Sequence, residues 1–160
     1  MNKFLFLDID GVLNTGCQLT RDKYGYGFNP KAVANLAKIV DVTGADIVIS
    51  SSWKCIGLSE LEEMWHDRRL PGKIVGITPN TMSDELLITA DLDKVELGPI
   101  RGTEIKEWLS IQKQVSHYVI IDDMYGMLPE QTSHFVMTDS EVGLSEKDAE
   151  QAISILNQDY

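Results

Sequence analysis

Asp8-Ile9-Asp10-Gly11 is the first stretch whose residue types and spacing could do chemistry. Side chains alternate in extended chain, so Asp8 and Asp10 can face a common space while Ile9 points into the fold. Two carboxylates held that close repel, and there are two sensible reliefs: a divalent cation between oxygen ligands, or one carboxyl that keeps its proton. A carboxylate can attack phosphorus, and a protonated neighbour can donate to the leaving oxygen and then deprotonate water. Gly11 lets the chain turn away tightly and brings backbone close to a ligand. Asp122-Asp123 is a second acidic pair, and the two pairs together hold enough oxygen for an octahedral Mg²⁺ that retains waters. Each pair also has a plainer reading, as solvated surface acids or, for Asp122 and Asp123, a helix N-cap and its neighbour.

Position separates these readings, and position depends on the elements around the acids. Lys3 to Leu7 is an apolar run without polar alternation, as expected of a strand buried on both faces of a parallel sheet, and it ends at Asp8. Asp46 to Ile49 is a second such strand, ending at Ser50-Ser51-Ser52. Tyr118 to Ile121 is another and runs into Asp122. Lys73 to Ile77 and Phe135 to Met137 complete the predicted strands. Asn29-Pro30 starts a helix that Gly44 ends; Ser59 to Glu62 has the form of a capping box; Ile105, Trp108 and Leu109 mark a third helix; Ser145 with Asp148 caps a fourth. Strands alternating with helices predict an α/β fold with a doubly wound, mainly parallel, Rossmann-like sheet, in which ligands bind beyond the carboxyl ends of the strands.

The 160 residues fit one domain, with a β-hairpin flap expected at about 12–28 and a loop, a possible small lid, at about 78–100. With 14 basic and 25 acidic residues the net charge is −11, which disfavours non-specific nucleic-acid binding. No run is long enough to span a membrane, and the N-terminus lacks a signal sequence, so a cytoplasmic protein is expected. Cys17 and Cys55 read as free thiols, and His66, His117 and His134 as structural. Trp53, Trp65 and Trp108 read as packing residues rather than stacking platforms. Tyr24, Tyr26 and Phe28 alternate along the flap, either gripping a substrate from one side or packing the flap down. Arg21, Lys23 and Lys54 are candidates for local positive potential at the mouth.

Four separated motifs, DIDGVLN at Asp8 to Asn14, VISSSW at Val48 to Trp53, Arg101, and IIDD at Ile120 to Asp123, resemble the haloacid dehalogenase superfamily of phosphohydrolases and phosphotransferases. The SSSW run also looks like the compact domains of this type associated with RNA-repair proteins. The resemblance implies Asp8 as nucleophile and Mg²⁺ ligand, and Asp10 as general acid/base whose carbonyl also touches the metal. It implies Ser50 on the phosphoryl group, with Ser51 or Ser52 as other candidates, and Asp122 and Asp123 as metal ligands or supports. Gly11 is expected beside the phosphate. The motif cation is Arg101, with Lys106 competing, since the phosphoryl oxygens and both acids carry more charge than one Mg²⁺ offsets. An aspartate at the second acidic position argues for phosphatase rather than carbon-halogen chemistry. The expectation is a Mg²⁺-dependent phosphomonoester hydrolase acting on a phosphorylated small molecule or an exposed phosphoester of a macromolecule. The alternatives are a catalytically silent phosphate-binding scaffold and a nucleic-acid end-processing phosphatase. The oligomeric state is not legible in the sequence.

Overall fold

Strand β1 (Asn2–Leu7) lies at the centre of a five-stranded parallel sheet in the computed structural model, which describes residues 1–80 and 100–159. Its neighbours are β4 (Asp46–Ile49) on one side and β6 (Val115–Asp122) on the other, with β5 (Ile74–Ile77) and β7 (Phe135–Met137) outermost. The central position explains the unbroken apolar run: Phe4, Leu5, Phe6 and Leu7 are all buried, because each face of the strand is covered. Leu5 and Leu7 join Ile47, Ile49, Val119 and Ile121 on one face, under helices α1 (Pro30–Thr43), α2 (Leu58–Asp67) and α4 (Glu146–Leu156). Phe4 and Phe6 point to the opposite face and meet Trp108 of α3 (Ile100–Ser110), with ring centroids 4.9 and 5.5 Å apart in edge-on geometry. The expected doubly wound α/β architecture is therefore present.

Local chemistry sets the element ends. Asn29 accepts from the Lys31 amide at 3.0 Å with Pro30 in the first turn, and Gly44 closes α1 in the left-handed region at φ 68°. Ser145 and Asp148 form the predicted reciprocal cap on α4. Ser59 does not cap α2. A 3-10 turn over Ser52–Ile56 ends at Gly57, whose φ of 92° sends the chain into the helix at Leu58 with no side-chain cap, leaving Ser59 inside the first turn. Helix α3 begins at Ile100, earlier than its apolar positions suggested, and β6 begins three residues before Tyr118. Most of the segment expected to be a loop or lid, residues 81–99, lies outside the described residues. The flap is a minimal hairpin of β2 (Arg21–Asp22) and β3 (Gly25–Tyr26). No helix among the described residues is long and apolar enough to cross a membrane.

Candidate active site

Register brings the chemistry to one edge. Leu7 pairs with Ile49 on one side and with Ile121 on the other, so the residues that follow, Asp8, Ser50 and Asp122, emerge level at the carboxyl ends of the three central strands. Backbone bonds pin the emergence: the Asp8 amide donates to the Ile121 carbonyl at 3.0 Å, and the Ser50 amide to the Leu7 carbonyl at 2.9 Å. Because β4 and β6 leave opposite sides of β1, the site sits at the topological switch point of the sheet.

Asp8, Asp122 and Asp123 each offer an oxygen within 4.8 Å of the others, although 113 residues separate the first acid from the second pair. Asp8 and Asp122 are almost wholly buried. Burial first, and then the charge of Asp122, push the Asp8 carboxyl up to about 7, against the pull of Arg101 and of the Ile9 amide 2.8 Å away. Asp122 is raised as well, again chiefly by burial. Acids whose ionised forms are this disfavoured need a cation. Arg101 supplies one: its Nη1 lies 2.7 Å from Asp122 Oδ2, 3.1 Å from Asp8 Oδ1 and 2.9 Å from the Ser50 carbonyl. The three-carboxylate set also suits a hard divalent ion such as Mg²⁺, an all-oxygen donor group with negative charge in excess of the single arginine.

Lys106, the competing cation, points away and pairs with Glu130 at 3.0 Å in an exposed contact. Ser50 presents a buried hydroxyl with no hydrogen-bond partner, an orphan donor at the edge where the acids meet. Ser51 caps the 3-10 turn by accepting from the Trp53 amide at 3.3 Å, and Ser52 is exposed. Gly11 has a different task from the one expected. Its amide donates to the Asn14 carbonyl and its carbonyl accepts from Thr138, so its amide is already committed and not free for a phosphate. With φ at 80°, Gly11 makes room for Asp123: a Cβ there would collide with the Asp123 carboxylate.

Asp10 stands apart from the three clustered acids. One of its oxygens accepts from Asn14 Nδ2 at 2.9 Å and the other from Trp53 Nε1 at 3.0 Å. Neither was expected to bond Asp10: Asn14 stood only as the end of DIDGVLN, and Trp53 read as a packing residue. Asn14 follows Asp10 by four residues, which was the available signal, whereas an indole near a strand end reads as core. Trp65 and Trp108 are indeed buried in the two cores. Of the flap aromatics, Tyr24 and Phe28 pack down on the core against Arg68, with Tyr24 also bonding Asp67 at 2.7 Å, whereas Tyr26 is exposed and lies under Arg21. Lys23 and Lys54 add little free positive potential, being paired with Glu63 at 2.9 Å and Glu104 at 2.7 Å. His66, His117 and His134 contact Asp67, the Gln158 carbonyl and the Tyr118 carbonyl, away from the acids.

The sequence matches the family described as the HAD domain in Swiss Army Knife RNA repair proteins over residues 4–149. No curated protein matches it.

Proposed function

The chain belongs to that family of HAD domains, whose chemistry is of the phosphatase-type hydrolase kind, and from this premise we propose that it is a Mg²⁺-dependent phosphomonoesterase working through an aspartyl-phosphate. The observation that carries the reading is the convergence of Asp8, Asp122 and Asp123 within 4.8 Å, beside Arg101 and the unpartnered Ser50 hydroxyl.

Asp8, Asp122 and Asp123 would hold the ion, which when bound supplies charge neutralisation and a fixed point for a phosphoryl oxygen. Asp8 uses its second oxygen as nucleophile on phosphorus while the bond to the leaving oxygen breaks. Asp10, fixed by Asn14 and Trp53, passes its proton to that oxygen, then takes one from the water that attacks the phosphoryl group and frees Asp8. Ser50 donates to an equatorial phosphoryl oxygen, and Arg101 offsets the charge that gathers there. Among the described residues the short hairpin flap leaves the mouth open to a phosphorylated small molecule or to a phosphoester exposed on a macromolecule, in keeping with the RNA-repair description of the family. Two exposed free thiols fit a reducing compartment such as the cytoplasm.

Phosphate release from a panel of phosphomonoesters tests this. Activity is expected with Mg²⁺, lost on chelation, and reduced at least about a thousandfold by Asp8→Asn. Mass spectrometry of a quenched turnover is expected to find the phosphoryl group on Asp8. Full activity in Asp8→Asn, or no release across the panel, would end the proposal.

A further inference from the structure

Beside Asp10 the molecule opens a cavity of about 650 Å³, walled by Tyr24, Trp53 and Ile56 and edged by Lys23, Glu60 and Glu63. That volume lies within the range of built small-molecule sites. Trp53 belongs to both places. Its indole Nε1 donates to Asp10 Oδ2 at 3.0 Å, its ring lines the cavity, and Phe28 braces it edge-on with centroids 5.7 Å apart. A group bonded to the oxygen that Asp10 protonates would therefore have this cavity one indole width away.

The walls define the occupant. With Lys23 and Glu63 paired, the Glu60 carboxylate is the uncompensated charge at the rim, and it disfavours an anionic group such as a sugar acid or a further phosphate. A cation would meet the Glu60 carboxylate but not the Tyr24 face, where Lys23 Nζ already sits 4.9 Å from the ring centre. Lys23 and Glu63 neutralise one another at 2.9 Å, whereas Glu60 has no hydrogen bond or ion pair among the described residues and stands as a free acceptor. Aromatic walls with a free acceptor suit a planar, uncharged ring that carries N–H donors. A nucleobase has this chemistry.

We infer that the cavity is the leaving-group subsite of the phosphomonoesterase proposed above, on which this inference rests, and that it takes a nucleobase. Trp53 is then a positioning residue: it stacks on the base with its ring while its N–H holds Asp10 in line with the leaving oxygen.

Steady-state hydrolysis of a nucleoside monophosphate, ribose phosphate and phosphocholine by the wild type, Trp53→Phe and Trp53→Ala tests both halves. The wild type is expected to favour the nucleotide over ribose phosphate by about tenfold or more in kcat/KM. Trp53→Ala should raise KM for the nucleotide by roughly 10–100-fold and leave KM for ribose phosphate unchanged. Trp53→Phe, which keeps a ring but loses the N–H, should hold most of the KM preference and lower kcat on both substrates. A merely structural tryptophan would not divide the constants in this way. Equal use of nucleotide and ribose phosphate, preference for phosphocholine, or an unchanged kcat in Trp53→Phe would overturn the inference.

Calorimetry with the free nucleoside and Asp8→Asn protein keeps the subsite testable if a Trp53 variant fails to fold. Saturable binding weakened by Glu60→Gln supports it, and no binding refutes it. The two proposals fail differently: phosphate release without base preference leaves the phosphatase and removes the subsite, while nucleoside binding without any turnover does the reverse. A terminally phosphorylated oligonucleotide run beside the mononucleotide assigns the base to a free nucleotide or to a chain end, whichever is turned over faster.

Discussion

Gly11 shows how little space separates the two acidic pairs. That the pairs converge was expected because each ends an apolar run, and of the first pair it is Asp8 that reaches Asp122 and Asp123. The sequence did not carry which atoms make the meeting possible, because a glycine's use is visible only once its φ of 80° and its neighbour Asp123 are known. Alanine there adds a left-handed backbone cost of about 1–2 kcal/mol and drives a methyl group into the Asp123 carboxylate. Gly11→Ala is expected to lower thermal stability and, by displacing Asp123, to weaken Mg²⁺ binding roughly 10–100-fold in a direct metal titration. Trp53 marks the opposite limit of legibility. Its position in VISSSW was noticed, yet nothing in residue type distinguishes an indole that packs from one that also donates to a carboxylate 43 residues earlier.

Elements place these side chains through contacts that periodicity does not reveal. The apolar strands were readable because burial on both faces leaves no alternation to misread, whereas the first residues of β6 are half-buried and escaped. Helix α3 carries Arg101, and its hold on the rest of the site is a buried pair: Glu104, three residues on and so near Arg101 on the helix surface, takes Lys54 Nζ at 2.7 Å. Lys54 also reaches Thr78 and the Pro79 carbonyl at 3.2 Å, so the turn after β4, the end of β5 and α3 are tied at one ammonium. Both side chains are largely buried, at 12% and 9% exposure, and removing one partner strands the other charge. Lys54→Ala is expected to cost about 3 kcal/mol in denaturant unfolding and to lower kcat by loosening Arg101. The flap is fastened differently. Arg68 of the turn after α2 donates to both Asp22 oxygens at 2.8 and 2.9 Å, and this hydrogen bonding lowers the Asp22 carboxyl from its ordinary 3.8 to about 2. A lowered folded-state value means the contribution is whole above about pH 4 and drains away as pH falls toward 2, where the folded protein must also take up the proton. Asp22 is 45% exposed, so the effect is local rather than global. Amide exchange should lose protection at Tyr24, whose N–H bonds Asp22 at 2.8 Å, across that window in the wild type and not in Asp22→Asn.

At the scale of the whole molecule the net charge of −11 confronts a site proposed to receive anions. Sequence composition gave the sign of this field, and the structure shows why local lysines do not reverse it at the mouth: Lys23 is consumed by Glu63 and Asp67, and Lys54 by Glu104. In the proposed reaction Arg101 and a bound Mg²⁺ would act at contact distance, inside the range where pairing dominates, but a phosphoester approaching through solvent would meet the summed repulsion first. Salt separates the two regimes. Raising monovalent salt from about 20 to about 200 mM shortens the screening length from roughly 20 to roughly 7 Å, which weakens the long-range repulsion and leaves buried contacts almost untouched. The kcat/KM for a dianionic phosphomonoester at fixed free Mg²⁺ is therefore expected to rise about two- to threefold over that range, with kcat nearly constant. A steep fall instead would identify a cationic surface guiding the substrate, the pattern of counterion release from a polyphosphate chain. The flap and the turn after β4 do not offer such a surface, since their basic side chains are already paired or stacked.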